Sequence, residues 1–448
     1  MKNIFNKHFF IFLFIILILN TFFCWNFFGV KDIGGDAVFY HQVGISLANG
    51  QGYELNGEKT MTREPGYPLF IAVNYKIFGE HPNIIRVEQV LFLYLTILFV
   101  YLLSKKIFGE PITRFSSLLF VVYPIFSIYS GSIVSEIFAG FLLACFLLVF
   151  NLAEEKRKYI YYFLAGLLLV FFIMTKNMFL FLMPLFFLLI ILNKEGSLKI
   201  RFFRAFIFII SFFIIIAPWM ARNYINFGNP MLASRGGVIL YGHAIKINFN
   251  SSQSLKYIIS SMSGEYFVRR FIDRDYNYER DSQGDELIQR EREILAEGGV
   301  TNYDQADDQL KNVALRLIKE HPIKYLFWGL IEFNNLNSPI VYYERHVSIF
   351  YDNVYNRTFL KSSAIIILRI FWFTFICLAF YGIYRIIKKR DKKSYGVILA
   401  VFYVNIIIII LQGIPRFLMP ILPFYFLFAM YGFEAFSKKY LRFFNLWS

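Results

Sequence analysis

The sequence predicts an all-α polytopic integral membrane protein, and three observations lead to that fold class. Of its 448 residues, 57% are hydrophobic and 20% are aromatic, while 17% are charged, which argues against a soluble globular domain. Apolar stretches long enough to cross a hydrocarbon core of about 30 Å recur along the chain. Lysine and arginine, which give a net charge of +15, lie in short runs between these stretches, as the positive-inside rule predicts.

The charge and the cysteines also argue against other functions. The basic residues form no separate domain, so we predict no nucleic-acid partner. Cys24, Cys145 and Cys377 fall in or beside apolar stretches without the spacing of a metal site or a disulfide framework. We therefore predict neither a zinc site nor thiol chemistry.

The first predicted span covers residues 9–28, and Lys2 and Lys7 before it place the N-terminus in the cytoplasm. A cleaved signal peptide is the alternative, but no small-residue cleavage site follows the apolar stretch. The loop of residues 29–84 then faces outward. A second span at 85–103 returns the chain to the cytoplasm.

The remaining spans alternate between basic cytoplasmic runs and short outer corners. We place them at 114–130, between the Ser135-Glu136 corner and Glu154, at 159–174, between Asn177 and Lys194, and at 205–218, 363–387, 395–413 and 417–436. The result is about ten transmembrane helices. Both termini are predicted to be cytoplasmic, and the plasma or inner membrane is the predicted location.

Residues 225–362 form a second large outward-facing segment. Apolar residues at helical spacing from Leu310 to Ile318 follow Asp307 and Asp308, whose charges favour a helix N-terminus. An amphipathic helix is therefore predicted from these acids to about His321. We predict three parts: a transmembrane module at 1–224, this outer segment, and transmembrane helices at 363–448.

The apolar run at 325–331 is ambiguous because it has the composition of a span. Glu332 and nearby asparagines interrupt it early, and a further span would move the basic run at 388–393 to the outside. We therefore interpret 323–341 as surface-lying or re-entrant.

The first outer loop, 29–84, carries the residues best suited to chemistry. Asp36 follows Gly34-Gly35 and opens an apolar helical stretch that Asn49-Gly50 ends. A second block, Arg63-Glu64-Pro65-Gly66-Tyr67-Pro68, leads into another helical run. Position alone does not separate a catalytic Asp36 from a helix N-cap.

This arrangement of Gly-Asp, a helix containing Tyr40, and a Pro-Gly-Tyr-Pro block resembles the GT-C membrane glycosyltransferases. It is most similar to the bacterial members related to protein mannosyltransferases and to the lipid A aminoarabinose transferase. The resemblance implies that a sugar is transferred from a polyprenyl (undecaprenyl) phosphate carrier to an acceptor hydroxyl on the outer face, with inversion. It implies that Asp36 is the general base and that Glu136 is a second acid.

The resemblance also implies residues that bind substrate. The transfer needs cations that hold the phosphate as negative charge grows on it. The candidates lie near predicted outer ends, and they are Tyr40, Arg63, Glu64, Lys176, Arg222 and Arg416, with Arg345 and His346 as weaker ones. In the aminoarabinose branch the block before the prolines is Glu-Lys-Pro-Pro, so the positive charge of Arg63 is displaced by one residue.

The sequence leaves the partners and cofactors broad. The acceptor is a cell-surface glycan, a lipid or a protein, and membrane lipids surround the chain. Acids near a phosphate can share a divalent metal, but no ligand cluster of recognisable spacing occurs. We predict no obligatory metal.

Two other functions stay open. A polymerase or ligase of polyprenyl-diphosphate-linked oligosaccharides would concentrate arginine and histidine in the late outer segment, where Arg345-His346 lies. A lipid-linked oligosaccharide transporter would carry charges within its spans along a central path. The acids and cations of the first loop favour the transferase over both.

Overall fold

The computed structural model describes residues 7–29, 33, 35–193, 195–276, 303–338 and 358–440. The first ten helices are α1 (Lys7–Phe28), α2 (Asp36–Ala48), α3 (Gly66–Phe78), α4 (Pro82–Phe108), α5 (Glu110–Val122), α6 (Pro124–Ser130), α7 (Glu136–Lys156), α8 (Tyr159–Thr175), α9 (Leu182–Leu192) and α10 (Leu198–Phe227). They are followed by α11 (Gly236–Ala244), α12 (Ser251–Ser263), α13 (Glu265–Phe271), α14 (Tyr303–Glu320), α15 (Pro322–Leu336), α16 (Thr358–Lys389), α17 (Tyr395–Ile410) and α18 (Leu422–Tyr440). Two short strands, β1 (Glu54–Leu55) and β2 (Glu58–Lys59), pair antiparallel between α2 and α3.

The helices confirm the predicted all-α polytopic class. Among the described residues, α1, α4, α7, α10 and α16 are each long and apolar enough to cross a membrane, and so is α17 together with the short 3-10 helix before it (Lys392–Ile410). α5 and α6 pass the same test together as a pair bent by 49°, which would make a seventh span. α8 and α9 are apolar but have only 17 and 11 residues. Each predicted span overlaps a helix, but the number of about ten spans is not confirmed.

Glycines allow the last helix to pack deep in the protein. A Cβ on Gly382 of α16 would collide with the carbonyl oxygen of Phe428, and one on Gly432 of α18 would collide with that of Leu378. Small residues permit this close approach of backbones in a membrane, where apolar burial gives little drive for helix association. α18 also packs against α5, and residues 421–429 are all buried. The C-terminal helix is thus held against the N-terminal module.

The first outer loop folds onto the end of α8. α2 ends at Ala48 with Asn49 as its C-cap residue, as the sequence predicts. α3 begins at Gly66, where a Cβ would meet the Met174 carbonyl oxygen at 2.7 Å and the Thr175 Oγ1 at 2.6 Å. The absence of a side chain therefore lets the loop lie directly on α8.

The outer segment has its own apolar core, built by α11, α12, α14 and α15. Its largest buried side chains are Tyr241, Tyr257, Leu310, Tyr325 and Trp328. α15 has 15 residues and packs against α17. This helix is shorter than the approximately 20 residues that a span needs.

One detail of the outer segment corrects the sequence analysis. The helix predicted to begin near Asp307 starts at Tyr303 instead, and it ends at Glu320, next to His321, as expected. The Asp307 carboxylate serves another helix, because it accepts hydrogen bonds from the backbone N–H groups of Gly237 (3.0 Å) and Val238 (2.8 Å) at the start of α11. A carboxylate can complement a helix N-terminus across a tertiary contact as well as within its own helix.

Candidate active site

Asp36 lies at the centre of a group of charged side chains at the corner that the sequence predicts to face outward. It is the first residue of α2, whose N-cap residue is Gly35. Its carboxylate binds two arginines: Oδ1 is 2.7 Å from Arg63 Nη2, and Oδ2 is 2.7 Å from Arg416 Nη2. The Asp36 side chain therefore binds these arginines and does not cap the helix N-terminus.

Arg416 connects Asp36 to the second predicted acid. Its Nε lies 3.6 Å from Glu136 Oε1, and the same oxygen accepts a hydrogen bond from Lys176 Nζ at 2.8 Å. Glu136 begins α7, and its side chain is only 2% exposed. We call the alternating series of Arg63, Asp36, Arg416, Glu136 and Lys176 the ion-pair chain.

Buried polar residues hold the corners of this site together. Gln89, on α4, accepts a hydrogen bond from the Tyr67 hydroxyl at 2.9 Å. Its amide donates to the carbonyl oxygens of Ser130 (3.0 Å) and Ser132 (2.7 Å). The first loop is thereby tied to the corner that precedes Glu136.

The other predicted binding residues of the first loop surround the ion-pair chain. The Arg63 guanidinium faces the Tyr40 ring with its carbon 5.5 Å from the ring centre, and the Tyr40 hydroxyl lies 3.5 Å from Ser135 Oγ. Glu64 Oε1 accepts a hydrogen bond from the Asn177 backbone N–H at 2.9 Å. Glu64 thus holds the residue after Lys176 in place.

Arg222 lies outside the ion-pair chain. Its guanidinium donates to the carbonyl oxygens of Thr60 (2.8 Å) and Tyr53 (3.0 Å) and faces the Trp219 ring at 5.0 Å. These contacts fasten the hairpin region to the end of α10, which favours a structural role. The weaker candidates Arg345 and His346 lie outside the described residues.

The charges of the site keep Asp36 ionised. Burial alone would favour its protonated form, but the positive charges of Arg416, Arg63 and Lys176 outweigh burial and hold the pKa of Asp36 well below its usual range. Burial alone would lower the pKa of Arg416, but Glu136 and Asp36 raise it. Both partners of the central ion pair are therefore charged at neutral pH.

The two acids of the site contact cationic side chains. No group of three or more histidine, cysteine or acidic side chains suited to a metal ion occurs in the part of the chain that the structure describes. Both oxygens of Asp36 already bind guanidinium groups. Arginine and lysine side chains thus lie beside the carboxylates of both Asp36 and Glu136.

Several residues of the site are not among those that the sequence predicts. Gln89 is a polar residue inside an apolar span, and such residues mark functional or structural contacts in membrane proteins, so a signal was present. Phe417, whose ring lies 5.1 Å from Lys176 Nζ, and Ser135 gave no signal, because each is an ordinary neighbour of a charged residue.

Comparisons with known proteins agree with this architecture. The sequence model of the family described as dolichyl-phosphate-mannose-protein mannosyltransferase matches residues 62–221. The oligosaccharyltransferase of Archaeoglobus fulgidus shares the fold: one structure, with an acceptor peptide tethered by a disulfide bond, gives a TM-score of 0.54 at 15% identity over 97% of this chain and 50% of that one. A second, in complex with Zn and sulfate, gives 0.52 at 14% identity over 95% and 49%.

The chain has the GT-C fold. The resemblance inferred from the first outer loop is confirmed at that level. The chain spans about half the length of the oligosaccharyltransferase structures that it matches. ArnT of Cupriavidus metallidurans bound to undecaprenyl phosphate gives a TM-score of 0.44 at 11% identity, covering 97% of this chain and 79% of that one. No curated protein sequence matches.

Proposed function

We propose that the protein is a membrane glycosyltransferase that moves a sugar from a polyprenyl phosphate carrier to an acceptor hydroxyl on the outer face of the cell membrane. The observation that carries the proposal is the ion-pair chain, in which one carboxylate lies between two arginines at a corner where spans end. A carboxylate can accept a proton, and guanidinium groups bind phosphate oxygens bidentately. The GT-C fold and the mannosyltransferase match support the same chemistry.

The phosphate of the donor would bind the cations of the ion-pair chain. Arg416 and Lys176 share Glu136 Oε1, and Arg63 and Arg416 share Asp36. The isoprenoid tail would stay in the hydrocarbon region while the phosphate reaches this corner. As the sugar–phosphate bond breaks, these cations would stabilise the charge that develops on the phosphate.

Binding of the donor would also change Asp36. In the structure both of its oxygens accept charge-assisted hydrogen bonds, which makes it a weak base. A phosphate that draws the guanidinium groups of Arg63 and Arg416 toward itself would weaken those bonds and raise the pKa of Asp36 toward its usual range. We therefore propose that the base becomes effective only when the donor is bound.

The proposed step is a single displacement. The acceptor hydroxyl oxygen forms a bond to the anomeric carbon, and its proton passes to the Asp36 carboxylate. The bond between the anomeric carbon and the phosphate oxygen breaks, and its electron pair stays on the polyprenyl phosphate. The configuration at the anomeric carbon is inverted. Glu136 does not react in this scheme and fixes Arg416 and Lys176.

The experiment that tests the proposal is mass spectrometry of membrane lipids from cells that lack the protein. Accumulation of a polyprenyl monophosphate carrying one sugar, relieved by the native chain but not by Asp36→Asn, is expected and would identify the sugar. Accumulation of oligosaccharides on polyprenyl diphosphate would instead favour the polymerase, ligase or transporter. A glycan, lipid or protein that loses a modification in the same cells would identify the acceptor class.

A further inference from the structure

A second buried charge pair lies away from the ion-pair chain, in the outer segment. Lys246 follows α11 and Glu332 lies on α15, and neither side chain has any exposed surface. Lys246 Nζ is 2.7 Å from Glu332 Oε1. Burying two charges costs several kcal/mol of desolvation per ion, so such a pair is weak evidence for stability by itself. A specific contact is the better explanation.

The second oxygen of Glu332 supplies that contact. Oε1 also accepts a hydrogen bond from the Tyr257 hydroxyl at 2.7 Å, and Oε2 accepts one from the backbone N–H of Gly413 at 2.6 Å. Gly413 lies in the corner between α17 and α18, three residues before Arg416. A Cβ on Gly413 would collide with the Glu332 carbonyl oxygen, so the corner lies directly on α15.

Two further side chains hold the same corner. The carbonyl oxygen of Ile410, at the end of α17, accepts a hydrogen bond from the Tyr325 hydroxyl and lies 3.3 Å from His243 Nδ1. The last carbonyl groups of a helix have no partner within it, and here the outer segment provides partners. The corner that carries Arg416 is thus fixed from the outer segment.

We propose that Glu332 is a positioning residue that sets the place of Arg416 through Gly413. This proposal rests on the proposed transfer reaction only for its effect on rate. The Lys246 ammonium and the Tyr257 hydroxyl hold the carboxylate, and the carboxylate holds the corner. Tyr325 and His243 hold the end of α17, whereas Glu332 bonds directly to Gly413, three residues before Arg416.

The first test measures hydrogen–deuterium exchange in purified full-length protein and needs no substrate. Glu332→Gln should raise exchange at residues 411–418 at least about tenfold, because it leaves the Lys246 charge buried without its partner. The double variant Lys246→Met with Glu332→Gln should restore slow exchange, since the Gln oxygen can still accept from Gly413. Glu320→Gln, an exposed acid of the same segment, is the control.

The second test is a double-mutant cycle on transfer. Glu332→Gln and Arg416→Met should each slow transfer, and Glu332→Gln should cause no further loss in the Arg416→Met background, because both act through one group. A merely structural Glu332 would add its own loss. Native exchange at 411–418 in Glu332→Gln would overturn the proposal even if transfer is confirmed, whereas absence of transfer in the native protein would overturn only the proposed function.

An independent observation concerns the other ends of α16 and α18. A cavity of about 360 Å³ lies between them, lined by Arg385, Lys389, Tyr431, Glu434, Ala435 and Lys438. Lys438 pairs with Glu434 at 2.7 Å, and Lys389 faces the Tyr431 ring. Arg385 and Lys389 have no acidic partner among the residues that the structure describes. The cavity therefore carries excess positive charge where two helices end.

We infer that this cavity binds the phosphate headgroup of an anionic phospholipid. Tyr384 and Ile387 lie on other faces of the same end of α16 and are 57% and 47% exposed, so apolar surface for an acyl chain is present at the level of the cavity. Free phosphate would gain nothing from these apolar neighbours. Basic pockets between helix ends at a membrane surface favour anionic headgroups.

Native mass spectrometry with phosphatidylglycerol as the probe tests this site. Removing both charges in Arg385→Gln with Lys389→Gln should weaken retention of phosphatidylglycerol about 30-fold, while Lys388→Gln, a neighbour that does not line the cavity, should retain it. Phosphatidylethanolamine is expected to bind weakly to the native protein, the double variant and Lys388→Gln. Equal retention of phosphatidylglycerol by the double variant, or displacement by millimolar inorganic phosphate, would overturn the inference.

Discussion

Replacement of Asp36 by Asn separates chemistry from architecture, because it changes one charge and almost no volume. Asp36 accepts two charge-assisted hydrogen bonds of 2.7 Å, one from Arg63 and one from Arg416. The Asn side chain keeps one oxygen, so one guanidinium can still be bound. The other oxygen becomes an amide group that donates and therefore repels the second guanidinium.

The expected magnitudes differ for stability and for rate. A hydrogen bond to a charged group contributes about 1.5–3 kcal/mol, and the Asp36 side chain is 24% exposed, so the variant should lose about 2 kcal/mol of unfolding free energy. Total stabilities are about 5–15 kcal/mol, and the fold should persist. Loss of a general base typically slows a reaction by about 10²–10⁴-fold.

The assay uses membranes from cells that lack the protein, in which the donor lipid has accumulated. Purified native protein, Asp36→Asn or Glu58→Gln is added, and the donor is followed by mass spectrometry. Glu58 is an exposed acid of the same loop and should leave the rate unchanged. A folded Asp36→Asn variant that keeps more than a tenth of the native rate would refute the assignment of Asp36 as the base.

Four further outcomes are expected. Arg416→Lys keeps the positive charge, but one ammonium cannot reach both Asp36 at 2.7 Å and Glu136 at 3.6 Å. The rate of transfer should therefore fall about 10–100-fold. An unchanged rate would exclude a bridging role for Arg416. Arg222→Met should lower the melting temperature, yet leave the rate per folded molecule within about twofold; a large loss of rate would return Arg222 to the substrate site. Burial raises the pKa of Asp307 from 3.8 to about 6, so its contribution to stability is fully present below about pH 4 and is lost as pH rises through 6. The melting temperatures of the native protein and of Asp307→Asn should therefore diverge between pH 4 and pH 6. Melting temperatures that change in parallel with pH would contradict the raised pKa. Treatment with a chelator should leave transfer intact, because arginine and lysine side chains already neutralise the carboxylates of Asp36 and Glu136. Loss of transfer that a divalent cation restores would show a metal requirement.

Local patterns gave the helices of the first loop and missed its hairpin. Asn49-Gly50 ends α2 because a turn signal acts on its own neighbours. The hairpin has a comparable signal, since Asn56 and Gly57 both have positive φ and Asn-Gly is the preferred two-residue turn. Its strands have only two residues each, too short for an alternating pattern. The signal was present, but the pattern that would support it was not.

Glu332 shows where sequence patterns mislead. Within an apolar run it interrupts the hydrophobic pattern and opposes a further span, and α15 has 15 residues. Its actual partners are Lys246 and Gly413, which lie 86 and 81 residues away. Asp307 is similar, because it complements a helix that precedes it by about 70 residues. The pattern of neighbouring residues along the chain carries no information about partners this far away in sequence.

The sequence by itself determined the membrane class, the order of the helices and the candidate residues of the outer corners, because hydropathy, charge runs and turn residues act over a few neighbours. Only the tertiary structure decided which charges meet. Asp36 and Arg416 are 380 residues apart, and they can pair because the C-terminal helix α18 packs against α5 of the N-terminal part. Arg222 does not join these charges and instead binds backbone carbonyl groups beside the hairpin. Charge pairing at the site follows from helix packing, which no local pattern specifies.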